Sequence, residues 1–424
     1  MLASIMRLAP GRLDALRTDL ADLVGNDARL MAFGRRAAWI LIPLSLVILV
    51  TMFGTGPEPR RNWYGDILGN DFTQVWVAGR AALEGRAAEP YDLGQHLENL
   101  KAAFGPDCRF AWHYPPVFLL PSAAMALFDP QIGYLAWCGL SAGLFLLAMR
   151  YASGRWDAAA IACAHPLVFC NLTYGQNGLF TAGLMALGLA ALDRWPVASG
   201  IAFGLLAYKP QFAALAPLIL LATGRRTPLL SCLATAAGTV LLSLALFGLE
   251  PWLGFVHSLG NTNRIILQNA AAGLDLNASA FGAVRLAGGS MAAAWAAQGA
   301  VALLALTVVA KVWLGPALPE IRAAAFLAAA PLISPYVPVY DLAPLVPALL
   351  YLVMAAHRSG GLARHERALL ACTPFTALLR VGAAVTGFSF GLALALGTLV
   401  CVAWRARHLS AQERGGRFTP AAVS

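Results

Sequence analysis

Apolar residues in this chain come in long unbroken blocks, not in the alternation of a half-buried strand or the one-sided stripe of a soluble helix. The blocks cover 37–53, 115–128, 131–149, 157–173, 177–193, 196–208, 211–223, 228–248, 290–314, 321–334, 338–356, 366–380 and 382–404. A bilayer core about 30 Å thick takes roughly 20 helical residues to cross. The pattern therefore predicts an all-α polytopic membrane protein of about 11–13 transmembrane helices, with 12 favoured because both ends then face the same side. Several blocks are short and carry proline at or near an end (Pro115, Pro116, Pro210, Pro338). Such helices are tolerated where they line a cavity instead of lipid. The alternating segments of roughly ten residues that mark a membrane β-barrel are not visible.

Two stretches break the apolar pattern, the loops 54–112 and 250–289, the second headed by "EPWLGFVHSLGNTNRIILQN". Within the first, Phe72, Val75, Trp76, Gly79 and Leu83 share one helical face, which predicts an interfacial helix over 72–84. A second helix is expected over 93–104, with Asp92 as its N-cap. Residues 1–36 are amphipathic and arginine-rich, with no apolar core before a small-residue cleavage site, and read as a cytoplasmic or interfacial lead-in to a membrane domain over 37–404. Residues 405–424 read as a basic cytoplasmic tail.

Composition supports this class. Of 424 residues, 59% are hydrophobic and only 12% charged, where a soluble domain carries about a quarter. The net charge of +9 then reports topology and leaflet contact; no nucleic-acid partner is expected. Arg35, Arg36, Arg225, Arg226, Lys311, Arg358, Arg364, Arg367, Arg405 and Arg407 all fit the cytoplasmic side. Counting through the blocks then gathers "YGQN" (174–177), "YKPQ" (208–211) and "PYVPVYD" (335–341) on the opposite face, with loop 54–112. Arg150 and Arg155 conflict with this count, because two blocks separate them from the external loop; either one block does not cross, or the charge rule fails there. Six of the seven cysteines lie in apolar blocks and Cys108 alone in a loop, so buried thiols are expected instead of a disulfide framework.

Candidate chemistry starts with the 21 carboxylates. Eight lie in loop 54–112, among them Asp71 at the head of the expected interfacial helix. Asp341 follows "SPYVPVY" at the start of an apolar block, and is either an interfacial N-cap or a functional acid at membrane depth. Lys209 sits between "GLLAY" and "PQFAALAP", where an ammonium either snorkels or needs a carboxylate or phosphate partner. Pro210 breaks the helix there and Gln211 adds a second polar group. The Gln176 and Asn177 amides exceed what a turn requires and suit sugar hydroxyls. "Asn-Leu-Thr" (171–173) matches a glycosylation acceptor by accident of composition. His113 and Tyr114 sit just outside the block that Pro115 and Pro116 open. The seven histidines are scattered, and no HExxH, DxD, P-loop or dinucleotide fingerprint occurs, so no metal site is expected.

Asp71-Phe72 after the first block, then "EGRAAEPYD" (84–92), "HYPP" (113–116), "YGQNG" and "YKPQ", together resemble the membrane glycosyltransferases of family 87, over roughly 60–400. That family includes polyprenol-phosphate-mannose-dependent α-mannosyltransferases. The resemblance implies a GT-C fold, a lipid-phosphate sugar donor, no cofactor or metal, and an acidic base in the first external loop. By position that base is Asp71, with Asp66 the nearby alternative that lacks the following Phe. The expected partners are a polyprenyl-phosphate sugar, a glycolipid or glycan acceptor and membrane lipids. The expected location is the bacterial inner membrane, with the site on the periplasmic or external side.

The implied reaction is single-step displacement with inversion, the base taking the acceptor's proton as its oxygen attacks the anomeric carbon. The lipid phosphate that leaves is already anionic and needs a cation; Lys209 is the first candidate, with Arg264 and Arg285 of the second loop as rivals. His113, Tyr114, Gln176, Asn177, Gln211, Tyr340 and Asp341 are candidates for lining the sugar and acceptor pocket. A transporter or lipid flippase is the competing class, but it predicts paired broken helices in two related halves, and no repeat is visible. A non-catalytic scaffold is the third reading.

Overall fold

The computed structural model describes residues 25–54, 56, 60–263, 267 and 273–414. The described part is helical, with two isolated bridges (Arg61↔Ile67 and Asn277↔Pro338) and no strand. The helices are α1 Asp27–Phe53, α2 Phe72–Leu83, α3 Leu93–Phe104, α4 Leu119–Ala126, α5 Pro130–Ser153, α6 Trp156–Cys163, α7 Pro166–Tyr174, α8 Gly178–Ala191, α9 Pro196–Gly204, α10 Leu215–Ala222, α11 Arg226–Phe247, α12 Glu250–Asn263, α13 Ala280–Leu286, α14 Met291–Leu314, α15 Pro319–Ile333, α16 Leu345–Arg358, α17 Arg364–Cys372, α18 Leu379–Thr386 and α19 Phe390–Arg414. Short 3₁₀ or single helical turns lead into α4, α16 and α18 and join α9 to α10.

Every apolar block is helical, but only seven described helical stretches are long and apolar enough to cross a membrane alone. These are Asp27–Phe53, Pro130–Ser153, Arg226–Phe247, Met291–Leu314, Val339–Arg358, Arg364–Thr386 and Phe390–Ser410. Proline explains much of the shortfall against 11–13. The block 157–173 is cut at His165-Pro166, where Pro166 takes the first position of α7 and His165 Nδ1 accepts from the Leu167 N–H at 3.2 Å. The block 115–128 starts in a 3₁₀ turn at Pro116 and ends at Ala126, roughly 17 Å of helix at about 1.5 Å per residue. That is about half a hydrocarbon core. A block this short fits the first of the two alternatives for Arg150 and Arg155, that one block does not cross.

Side-chain contacts gather at two opposite ends of the helices. At one end Asp27 pairs with Arg367 at 2.6 Å, Asp193 with Arg225 at 2.5 Å and Glu320 with Arg358 at 2.9 Å. Arg405 is buried there, donating to the Glu366 carboxylate, Ser359 Oγ and the Gly361 carbonyl. Arg405 was expected to open a basic tail. It lies inside α19, which continues to Arg414, and Glu366 of α17 meets its charge. Residues 1–24 of the expected lead-in and 415–424 of the expected tail lie outside the described residues, and α1 begins at Asp27, capped by Asn26.

The core lies around α8, α15 and α16, which are buried along almost their whole length. By contrast α1 turns Trp39, Ile40 and Val50 outward, as a lipid-facing helix does. Among the described residues all seven cysteines are free thiols.

At the opposite end α2 departs from expectation. Phe72, Thr73, Gln74, Val75, Val77, Ala78, Gly79, Ala81 and Ala82 are all buried and Arg80 and Leu83 are exposed, so the helix packs on protein over most of its circumference and keeps one narrow outward face. Its small residues let it press on α4: a Cβ at Gly79 would stand 2.0 Å from the Ser122 carbonyl oxygen. Trp76 Nε1 donates to the Phe128 carbonyl at 3.0 Å on the same side. α3 covers α2 from without, through Leu100, Phe104, Val77 and Cys108. Its N-cap is Asp92, which accepts from the Gln95 N–H at 2.9 Å, as its sequence predicts.

Candidate functional site

Asp71 stands at the head of α2. A carboxylate in that position ordinarily caps the helix by accepting from a first-turn N–H. Asp71 makes no such bond. The turn before it places Asn70 at a left-handed φ of +44°, a conformation asparagine tolerates, and the Asn70 carbonyl accepts from the Thr73 N–H and hydroxyl. The local backbone and Thr73 meet the needs of the helix end, and the Asp71 side chain is left for tertiary partners.

Its direct partner is Gln176, whose Nε2 donates to Asp71 Oδ2 at 2.5 Å. Gln176 Oε1 in turn accepts from the Tyr114 hydroxyl at 3.1 Å. The amide thereby links the first loop, the entry to α4 and the α7–α8 turn. That turn approaches Asp71 because Gly175 has no side chain. A Cβ there would meet Phe72 Cβ at 2.6 Å and the Gly69 carbonyl at 2.9 Å, and its φ of +63° suits glycine. The Tyr340 hydroxyl completes the surroundings of the carboxyl.

Asp71 is only partly covered, yet protein surrounds it closely enough that desolvation dominates its protonation. Burial pushes its pKa up to about 6, against the hydrogen bonds from Gln176 and Tyr340 and the positive field of Arg380, which pull it down. A carboxylate with such a pKa is largely ionised at neutral pH and more basic than an ordinary aspartate, which suits proton abstraction from a hydroxyl. His113 lies beside Trp112 and Tyr114, and burial holds its pKa near about 4, so it is a neutral imidazole at pH 7.

Tyr340 is pinned from behind. Asn171 Nδ2 donates to its carbonyl at 2.7 Å, and Asn171 Oδ1 accepts from the Leu179 N–H at 3.1 Å. Asn171 is therefore a buried tie between α7, α8 and the turn before α16, and is inaccessible as a glycosylation acceptor. Asn177 is buried next to Gln176, and its Oδ1 has no protein partner among the described residues.

Lys209 and Asp341 find each other across 132 residues of sequence. Lys209 Nζ lies 2.6 Å from Asp341 Oδ1, with the two side chains only 5% and 7% exposed. Asp341 sits inside the 3₁₀ turn Val339–Leu342 and is not an N-cap. The Lys209 charge is met by a buried carboxylate, and its Nζ lies over the Phe212 ring at 5.4 Å. Gln211 is exposed and stands apart from this pair. Arg285 donates to the Gly289 carbonyl at 2.8 Å within its own segment. Arg264 lies outside the described residues.

The basic residue whose field reaches Asp71 is Arg380, at the start of α18. It donates to Asp275 Oδ2 at 2.8 Å and to the Tyr174 hydroxyl at 2.9 Å. The Tyr174 ring lies 5.6 Å from that of Tyr340. The second loop is fixed at this point: the Ala278 N–H donates to the Val337 carbonyl, the Val339 N–H to the Leu276 carbonyl, and Asn277 Oδ1 accepts from the Val337 N–H. Sequence reasoning did not single out Arg380 or Asp275, and it met Tyr174 only as the first residue of "YGQN". The one signal was a lone arginine inside "FTALLRVGAAV", at the very end of an apolar block.

The site thus assembles Asp71, Tyr114, Gln176, Asn177 and Tyr340, with Arg380 behind Tyr174; Lys209 and Asp341 form a closed pair. A glycosyltransferase family 87 model matches residues 112–335. The match takes in Tyr114, Gln176, Asn177 and Lys209, and leaves out Asp71, Tyr340 and Arg380. No curated protein and no solved structure matches the chain.

Proposed function

The chain belongs to glycosyltransferase family 87 and is a membrane glycosyltransferase, and from that premise we propose that Asp71 is the general base of an inverting transfer from a polyprenyl-phosphate sugar. The observation that carries the reading is the state of Asp71: excluded from capping, desolvated, and held by the Gln176 amide. The acceptor hydroxyl gives its proton to Asp71 Oδ while its oxygen bonds to the anomeric carbon. The bond from that carbon to the phosphate oxygen breaks on the opposite face, and polyprenyl phosphate departs with the electron pair. Gln176 orients the carboxylate, and Tyr114, Asn177 and Tyr340 supply polar groups for sugar hydroxyls. We assign the transfer to the external face of a bacterial inner membrane, with a hexose as the sugar and mannose the first to test, and with a lipid- or glycan-linked acceptor.

The test is incubation of the purified protein in lipid vesicles with labelled polyprenyl-phosphate hexoses and acceptor lipids. Transfer by the wild type is expected to fall by about 10²–10⁴-fold in Asp71→Asn, the range typical of losing a general base. Unchanged transfer would remove Asp71 from the mechanism.

A further inference from the structure

The reaction needs a cation at the departing phosphate, and Lys209 is closed off by Asp341. Resting on the transferase reading above, we infer that Arg380 receives the phosphate of the polyprenyl-phosphate donor, and that Asp275 holds the same guanidinium until the donor displaces it.

Three observations converge on this. The first is position. Arg380 stands beyond Tyr174, whose ring neighbours that of Tyr340, and Tyr340 faces Asp71. A phosphate at Arg380 is therefore within a short file of side chains of the base, as it must be if one sugar ring lies between them. The second is availability. Arg380 is 45% exposed, whereas Lys209 is 5% exposed. Its Nε and Nη1 are engaged, and Nη2 has no partner among the described residues. A guanidinium presents five N–H groups in a planar fork, and a phosphate oxygen can replace a carboxylate oxygen on it directly. The third is the surface around it. Phe375, Leu378, Val381, Val385 and Phe388 are each more than half exposed and surround this one arginine along α18 and its flanks. These side chains lie on or beside Arg364–Thr386, a stretch long and apolar enough to cross a membrane, so Arg380 opens toward lipid, where the donor's hydrocarbon tail lies.

Asp275 gives the arrangement its logic. An unpaired guanidinium against an apolar surface is costly, and a carboxylate held by the Asn277–Val337 contacts satisfies it when no lipid is bound. The donor phosphate brings a second anion to the same fork. Asp275 then competes with the donor and does not help to bind it.

The experiment measures donor and acceptor KM for wild type, Arg380→Ala, Arg380→Lys and Asp275→Asn. Binding of labelled polyprenyl monophosphate, which carries no sugar, is measured in parallel on Asp71→Asn protein in lipid nanodiscs. Losing a charge-assisted hydrogen-bonding pair to phosphate corresponds to about 10- to 100-fold in affinity. Arg380→Ala is expected to raise the donor KM and weaken binding by that factor, with acceptor KM unchanged. Arg380→Lys recovers part of the loss, and Asp275→Asn lowers the donor KM because a competitor for the guanidinium is gone. Equal damage from Asp275→Asn and Arg380→Ala would make the pair a structural brace and overturn the inference. So would binding that ignores Arg380→Ala, or that phosphatidylglycerol competes away as well as unlabelled polyprenyl phosphate does. Should the wild type bind polyprenyl phosphate through Arg380 yet transfer no sugar from it, the transferase reading fails and this one stands. Asp71-dependent transfer with binding indifferent to Arg380 is the converse.

Discussion

Replacing Asp71 by asparagine is expected to stabilise the protein while abolishing its chemistry. The carboxyl titrates near 3.8 in an unfolded chain and at about 6 in the folded one. A gap of about two units, at about 1.4 kcal/mol each, corresponds to roughly 3 kcal/mol of cost for keeping the ionised form inside the fold. The sign follows from proton binding. Between pH 4 and 6 the folded state holds a proton that the unfolded state has released, so wild-type stability falls as pH rises through this window and then stays level. Below about pH 4 both states are protonated and the cost is gone. Asparagine keeps an oxygen for the Gln176 amide and has nothing to ionise. Melting in matched detergent at one scan rate, from pH 4 to 8, should therefore show Asp71→Asn above wild type by a few degrees at pH 7.5, with the gap closing toward pH 4. A variant that melts below wild type across the whole range would mean that the ionised carboxylate is net favourable in place, and the desolvation argument would be wrong. The same pKa governs rate. About nine-tenths of the base is ionised at pH 7 and about one-tenth at pH 5, so kcat/KM should fall along an acid limb near pH 6.

Three further substitutions probe the surroundings. Gln176→Ala removes a hydrogen bond that lowers the Asp71 pKa, so the acid limb of the pH–rate profile should move upward; an unmoved limb would show that Gln176 does not act on the base. Lys209→Met leaves Asp341 buried without a counter-charge and should cost about 3–5 kcal/mol, read as a large drop in melting temperature, while the double variant Lys209→Met/Asp341→Leu recovers most of it; equal melting of single and double variants would refute the pairing. Gly79→Leu forces side-chain atoms into the Ser122 backbone and should lower both stability, by at least about 1–3 kcal/mol, and turnover, since α2 carries Asp71; a fully active, stable variant would contradict the close approach of α2 and α4.

What could be read from the chain alone was governed by period and by punctuation. The apolar blocks became helices because a continuous run of such residues leaves the backbone few other ways to satisfy itself in lipid. Asp92 capped α3 because capping is a local matter of three residues. The motifs around Gln176 and Tyr340 met at one end because alternating helices force them to. The misreadings have equally physical sources. The stripe Phe72, Val75, Trp76, Gly79 suggested a surface helix, but the remaining positions are mostly Ala, Val and Thr, small enough to pack closely, and only the face of Arg80 and Leu83 stays exposed. Proline placement hid how little of 115–128 is α-helix. The partner of Lys209 was a carboxylate far along the chain, which no window of sequence connects to it. Arg380 escaped notice because its neighbours are apolar and its importance comes from Tyr174 and Asp275, both brought in from elsewhere.

The burial of α2 has a mechanical meaning. A helix lying on the bilayer rises and sinks with the headgroups, and its depth follows lipid composition. Clamped against α4 through Gly79 and roofed by α3, α2 takes its height from the protein frame. On the proposed mechanism the base is then a fixed bench mark, and the mobile partner is the lipid, which must bring its phosphate to that level. Transfer rates in vesicles of different acyl-chain length should accordingly vary through the donor KM and leave kcat level.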